Sequence, residues 1–269
     1  LLIPNALGQH LEFKEGIGPI LEPLKNNEDI ENLRNTEDIH STLEPVYEAV
    51  TNIRSKLESN ITFIGFAGSP WTVATYMIEG KGSKDHIKTK IFMLNYPQVF
   101  KKLIVKIQDA TIEYLSKQIE GGVDVIKLFD SWANSLPATY IEKYSLEPMK
   151  VIAKEIKKRF PNIPVIVFPR GVGPMYKKFA MVKEFDCVAV DSSIGLDWAK
   201  KNIQKEIVIQ GNLDPAYLIS GGKELVEGTL NIVNKFSSSG HIFNLGHGIT
   251  PDAKIHNVEL LLKTIKEKN

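Results

Sequence analysis

One cysteine, Cys187, stands in a chain of 269 residues. That excludes an intrachain disulfide and any zinc site built on several thiolates, and it fits a reducing compartment. Long hydrophobic runs are missing as well. None approaches the roughly 18 residues of a membrane span, and no signal-peptide pattern stands out, so the expected location is the cytoplasm and no membrane partner is expected. Excess charge of one sign is absent: 33 Lys and Arg against 32 Asp and Glu leave a formal net charge of +1. Such a balance provides no footprint for nucleic acid or an acidic membrane surface, although a few local cations suffice to hold an anionic ligand. The histidines (His10, His40, His86, His241, His247 and His256) include no His-x-x-x-His pair, so a dedicated zinc site is not expected. No Gly-x-Gly-x-x-Gly or Walker pattern and no Gly-x-Ser-x-Gly elbow is found. Dinucleotide binding, nucleoside triphosphate binding and serine hydrolysis lose their main support.

What is present is an ordinary globular composition, 43% hydrophobic and 24% charged, long enough for one barrel or two smaller domains. Six short apolar runs read as strands: 61–66, 123–129, 163–168, 186–190, 206–209 and 241–245. Helical patterns at 97–121, 137–160, 175–184, 196–204, 215–236 and 253–266 separate them. In the first of these, Leu103, Ile107, Ile112, Leu115 and Ile119 recur at helical spacing. Alternation of this kind predicts parallel βα units, and the near-continuous apolar strands predict a sheet buried on both faces. The first sixty residues are less regular. Residues 1–7 read as the end of a further strand, 15–19 as a loop, and 41–57 as a helix with Ser41 near its N-cap. No low-complexity linker divides the chain, so 1–269 is expected to be a single (β/α)8 barrel domain. A closed barrel of this type needs eight strands. The expectation is therefore an N-terminally truncated barrel, with the first strand and the start of the second upstream of Leu1, where the chain begins without methionine. A doubly wound open sheet is the structural alternative.

Polar residues collect where the strands stop: Gly65 to Ser69, Phe129-Asp130-Ser131, Pro169-Arg170-Gly171, Asp191-Ser192-Ser193, Gln210 to Asp214 and Asn244 to Gly248. Strand exits are where βα barrels build their sites, and glycine there lets a backbone turn or lie close to a ligand. Arg170 is the most telling, because a guanidinium beside glycine at a strand exit is costly to desolvate without an anionic partner and matches carboxylate geometry. His247, between two glycines, reads either as a histidine bonded within its loop or as a donor to a ligand carboxylate. Tyr76 either packs or offers its hydroxyl. Ser131 either caps the following helix or faces a ligand.

Five segments, taken in order, carry a resemblance: Leu2-Ile3-Pro4-Asn5-Ala6-Leu7-Gly8; Gly65-Phe66-Ala67-Gly68-Ser69-Pro70-Trp71-Thr72 with Thr75-Tyr76-Met77; Leu128-Phe129-Asp130-Ser131-Trp132; Gln210-Gly211-Asn212-Leu213-Asp214-Pro215; and Asn244-Leu245-Gly246-His247-Gly248. Together they resemble the uroporphyrinogen decarboxylase family from the first residue nearly to the last. The resemblance implies a homodimeric (β/α)8 barrel that removes four carboxyl groups from uroporphyrinogen to give coproporphyrinogen, without a cofactor. Position by position, it implies that Tyr76, Ser131 and His247 contact substrate and that Phe66 and Phe129 wall the cleft, with Arg170 a possible carboxylate contact. The family's arginine-rich loop and catalytic aspartate are implied to lie upstream of the Pro-x-Ala-Leu-Gly segment, so no catalytic residue is expected within this chain. The chemistry suits such residues. Losing an acetate carboxyl from a pyrrole needs a ring carbon protonated as electron sink, a polyanion held, and a developing cation stabilised.

Two other readings remain. Corrinoid-linked methyl transfer, within the same superfamily, uses a zinc thiolate, and Cys187 lacks a second cysteine or histidine at ligand spacing. A non-catalytic barrel serving as a binding module is the other. Lys127 carries a separate expectation. Alternation along 125–131 puts it on the face of Phe129 and Ser131, inside the barrel, where an ammonium needs a partner. Asp191 and Gln210 are the nearest candidates.

Overall fold

The computed structural model describes residues 1–15 and 18–268. β1 (Leu11–Lys14) and β2 (Gly18–Leu21) form an antiparallel hairpin that pairs Leu11 with Leu21 and Lys14 with Gly18. A second sheet holds β3 (Ile64–Gly68), β4 (Val125–Asp130), β5 (Val165–Pro169), β6 (Cys187–Ala189), β7 (Val208–Gln210) and β8 (His241–Ile242), in sequence order. The pairs β3–β4, β6–β7 and β7–β8 are parallel. A strand order that never reverses, with helices between the strands, is that of a (β/α)8 barrel wall and not of a doubly wound sheet, whose order switches partway. Six strands are two fewer than the eight that close such a barrel.

The expected strands are thus all present, while several finer expectations are corrected. Residues 1–7 are not a strand end but contain a short helix, Leu2–Ala6, which buries Ile3, Pro4 and Ala6 and closes with a Leu7 N–H donated to the Ile3 carbonyl at 2.9 Å. Of the loop expected at 15–19, Gly16 and Ile17 lie outside the described residues, and Gly18 and Pro19 belong to β2. Ser41 is not an N-cap. The helix His40–Lys56 follows directly on a 3-10 turn, Thr36–Ile39, so its first N–H groups have backbone neighbours, and the Ser41 hydroxyl donates to the Asp38 carbonyl. The helix expected at 175–184 is shorter, Tyr176–Ala180. The one expected at 215–236 divides into Ala216–Ser220 and Gly222–Phe236. Gly221 sits at the break with φ of +73°, and a Cβ there would lie 2.3 Å from Asn257 Oδ1.

Two compact units divide the chain, Leu1–Val167 and Phe168–Asn269. In the first, the helix Pro97–Glu120 buries Leu103, Ile107, Ile112 and Leu115 as its spacing predicts, with Ile119 half-buried. Phe100 packs its ring against Trp71 and Tyr144 at centroid distances of 5.9 and 5.1 Å. β3 and β4 have two unlike faces. Gly65, Ala67, Ile126, Leu128 and Asp130 are buried, whereas on the other face Ile64 is 38% and Phe66 58% exposed, and Lys127 and Phe129 are half-buried beyond a buried Val125. Burial on both faces therefore fails for these two strands. It holds for all of β5 and β6. In the second unit, Tyr176, Phe179 and Phe236 are fully buried.

Candidate active site

The open face of β3 and β4 forms one wall of a cavity of about 120 Å³ in the first unit. Phe66, Gly68, Thr72, Tyr76, Tyr114 and Phe129 line it, together with residues 1–4. Register explains the wall, because Gly68 stands opposite Phe129 and Phe66 opposite Lys127. The Phe66 and Phe129 rings lie 6.0 Å apart at 46°, a tilted aromatic pair. The opposite wall is the helix Pro70–Glu79, which begins with a proline at the end of β3, where a missing N–H is harmless. Thr72 and Tyr76, four residues apart, share its cavity-facing side. Ser131, half-buried just beyond β4, is on the strand face of Phe129 by alternation but does not line the cavity. It caps no helix either, since the 3-10 turn Ala133–Ser135 starts after Trp132 without a side-chain cap.

Behind this wall lies a group that sequence reading passed over. Asp130 is fully buried. Its carboxylate accepts from Thr72 Oγ1 and from Ser145 Oγ, each at 2.6 Å. Burial pushes its pKa up to about 6, against the hydrogen bonds from Ser145 and Thr72, which lower it. Ser145 reaches it from a π-turn, Glu142–Leu146, that joins the helices Ala138–Ile141 and Glu147–Arg159. Pro148 has no N–H to donate backwards and its ring crowds the carbonyl of Tyr144, so a widened turn is favoured just before it. Thr72 Oγ1 also accepts from the Trp132 N–H at 3.2 Å, and the Trp132 carbonyl accepts from Trp71 Nε1 and Ser135 Oγ at 2.9 and 2.7 Å. The Trp132 ring lies 6.4 Å from Tyr76 and 5.0 Å from His86.

In the second unit the exits of β5, β6 and β8 bring Arg170, Asp191 and His247 into mutual influence. Asp191 Oδ2 accepts from the Gly171 N–H at 2.7 Å and the Tyr176 hydroxyl at 2.6 Å, while Oδ1 accepts from the N–H and hydroxyl of Ser193. Burial acts to raise the Asp191 pKa, but bonds from Ser193, Tyr176 and Gly171 together hold it below its usual range. The same burial, with the Asp191 charge, drives the Tyr176 hydroxyl far upward. Arg170 is half-buried and makes no ion pair or hydrogen bond among the described residues. His247 stays solvent-accessible, yet partial desolvation and the Arg170 guanidinium lower its pKa, with Asp191 opposing. Its Nδ1 accepts from the Gly248 N–H at 2.6 Å. A neutral ring that accepts at Nδ1 carries its proton on Nε2, and presents that N–H as a donor.

Tyr76, Phe66 and Phe129 therefore meet in one cavity, and Arg170 and His247 meet at another set of strand exits. Other strand-exit residues act as braces. Asn212 Nδ2 donates to the Asp191 and Ile194 carbonyls, and Asp214 accepts from Ser192 Oγ and the Ala216 N–H. Lys127 is half-buried on the face of Phe129 and has an interaction of its own. Cys187 is buried within β6, away from the strand exit. Among the described residues no three His, Cys, Asp or Glu side chains come together as a metal site, and no helix is long and apolar enough to cross a membrane.

The profile of a family described as "Uroporphyrinogen decarboxylase (URO-D)" matches residues 1–268. A uroporphyrinogen decarboxylase of Rhodobacter capsulatus is 50% identical over 268 residues, covering 99% of this chain and 78% of its own. One from Paracoccus denitrificans is 48% identical, with the same coverage. Among solved structures, a methyltransferase from Methanosarcina mazei superposes with a TM-score of 0.82 at 19% identity, over 99% of this chain and 77% of that one. At that identity the likeness concerns the fold alone.

Proposed function

The chain belongs to the uroporphyrinogen decarboxylase family, and from that premise we propose how its residues serve the reaction. The enzyme is a carboxy-lyase of porphyrin and haem biosynthesis. It converts the four acetate side chains of uroporphyrinogen III to the methyl groups of coproporphyrinogen III. In each cycle a ring carbon is protonated, the C–C bond electrons pass into the ring as CO2 leaves, and the exocyclic CH2 so formed is protonated to CH3 while the ring carbon gives its proton back, so that the net uptake is one proton. The pyrrole is its own electron sink, so the protein's tasks are to hold a polyanion, orient the ring and manage protons, and no cofactor is called for.

The observation that carries this assignment of roles is the cavity at the exits of β3 and β4, where Phe66, Phe129 and Tyr76 converge. Two rings offer an apolar wall to a pyrrole, and the Tyr76 hydroxyl offers a polar contact. Ser131, beyond the end of β4 and outside the lining of that cavity, is assigned a hydroxyl contact to substrate on the family match. Arg170, whose guanidinium makes no ion pair among the described residues, and neutral His247, donating through Nε2, are assigned to substrate carboxylates. A histidine whose pKa is depressed is a better donor to an anion than a proton source at neutral pH.

The unreversed strand order supports taking 1–269 as a single barrel domain. The lone cysteine supports a cytoplasmic location. A homodimer is supported by the helix Ile87–Asn95, which leaves Ile87, Ile91 and Leu94 exposed at the spacing of one helical stripe. The reaction is tested by incubating the full-length gene product with uroporphyrinogen III and separating the oxidised porphyrins by carboxyl number. Stepwise appearance of seven-, six-, five- and four-carboxyl porphyrins is expected, and unchanged substrate would refute the reading.

A further inference from the structure

A buried carboxylate is an expensive way to fill a core position, costing several kcal/mol when no cation partners it. Asp130 is such a group: fully buried, it accepts from the hydroxyls of Thr72 and Ser145, with the Ser69 side chain and the Thr72 N–H also bearing on it, and meets no cation among the described residues. An apolar side chain would pack there at less cost, so the carboxylate calls for another explanation.

We propose that Asp130 is a positioning residue for the decarboxylation, acting through Thr72 to lock the Tyr76 helix and the Ser131–Trp132 turn into one arrangement. The inference rests on the functional reading above, which assigns Tyr76 and Ser131 to the substrate. Its physical basis is the single proton of the Thr72 hydroxyl. That proton is donated to Asp130 at 2.6 Å, which turns the oxygen's lone pairs toward the Trp132 N–H at 3.2 Å. A buried hydroxyl that accepts from that amide needs an acceptor for its own proton, and the Asp130 carboxylate is one. The Trp132 peptide is then held at its N–H by Thr72, and the carbonyl of the same residue is held by Trp71 and Ser135. Ser131 lies between an anchored Asp130 side chain and an anchored Trp132 amide, so its backbone is defined from both sides. Tyr76 follows Thr72 by one helical turn on the cavity side, so the same bond sets the height of its hydroxyl. Ser145 holds the other carboxylate oxygen and takes no part in the Thr72–Trp132 bond.

Three variants of the full-length enzyme test this. Thr72→Val keeps the volume and removes the relay. It should lower kcat at least about tenfold and leave KM within about twofold, because misorientation slows the chemical step while the carboxylate contacts persist. Thr72→Ser should return kcat to within about threefold of the parent. Ser145→Ala should lower Tm while keeping kcat within about twofold. Amide hydrogen exchange at Trp132 provides a readout without substrate, and should be at least about tenfold faster in Thr72→Val than in Thr72→Ser. Equal kcat in Thr72→Val and the parent, or an equal loss in Ser145→Ala, would overturn the positioning role, as would Trp132 exchange indifferent to Thr72→Val. A parent enzyme that leaves uroporphyrinogen unchanged would refute the functional reading instead, and Trp132 exchange would then decide on the lock by itself.

Discussion

Tyr76 contributes its hydroxyl to a cavity whose strand wall is made by the Phe66 and Phe129 rings. Tyr76→Phe deletes that oxygen and keeps the packing, so turnover of uroporphyrinogen should fall or KM rise by about tenfold, with Tm unchanged within error. Steady-state kinetics beside a thermal melt would check both halves. Asp130 makes a pH prediction whose sign follows from its environment. Its carboxyl titrates near 6 in the fold against an ordinary 3.8, because burial penalises the charge more than Ser145 and Thr72 relieve it. A raised pKa means that Asp130 contributes stability below about pH 4, and that this contribution is lost as pH climbs through 6. Asp130→Asn has no such titration. The stability of the parent relative to this variant should therefore drop by on the order of 3 kcal/mol between pH 4 and 7, followed by urea unfolding. A flat difference over that range would show the carboxyl to titrate normally. At this scale the sequence was only partly legible. It pointed to Tyr76, Phe66 and Phe129, but Asp130 looked like one more polar residue at a strand end, because its partners Thr72 and Ser145 are remote in sequence.

The two glycines around His247 look alike in the chain and do different things in the loop after β8. A Cβ on Gly246 would lie 2.4 Å from the Ser192 nitrogen and 3.0 Å from the Asp191 carbonyl carbon, both backbone atoms that cannot move aside cheaply. A Cβ on Gly248 would meet nothing within 4 Å. Gly246→Ala should therefore cost about 1–3 kcal/mol and raise KM by loosening the loop that carries His247. Gly248→Ala should melt with the parent. Equal melting of both variants would mean that the β8 loop does not seat against the exit of β6. The same contrast explains why glycine at strand exits was a coarse signal: it marks either a close backbone approach or plain surface, and only the neighbours tell which. Helices show the complementary limit. Their apolar spacing predicted Pro97–Glu120 almost to the residue. Spacing is blind to the break at Gly221, which is set by Asn257 packing from a distant helix, and to the π-turn before Pro148, which aims Ser145 at Asp130.

For the molecule as a whole, the exposed stripe on the helix Ile87–Asn95 is the surface to disturb. Ile91→Glu places a charge in its middle, and sedimentation should shift from dimer toward monomer without loss of far-ultraviolet dichroism. A parent protein that sediments as a monomer throughout would remove the dimer from the reading. The number and order of the six strands, and the positions of four of the five motifs at or beside their exits, were determined by the sequence itself. Apolar period, turn residues and glycine placement are local properties, and each is written within a few residues. The tertiary structure alone decided what those motifs do. It turned Leu2–Ala6 into a helix, left one face of β3 and β4 open as a cavity, and made Asn212 and Asp214 braces. It also joined Asp130 to Thr72 across 58 positions of chain. Such pairings depend on which distant groups the fold brings within about 3 Å of one another, a distance at which burial leaves a polar atom no alternative partner.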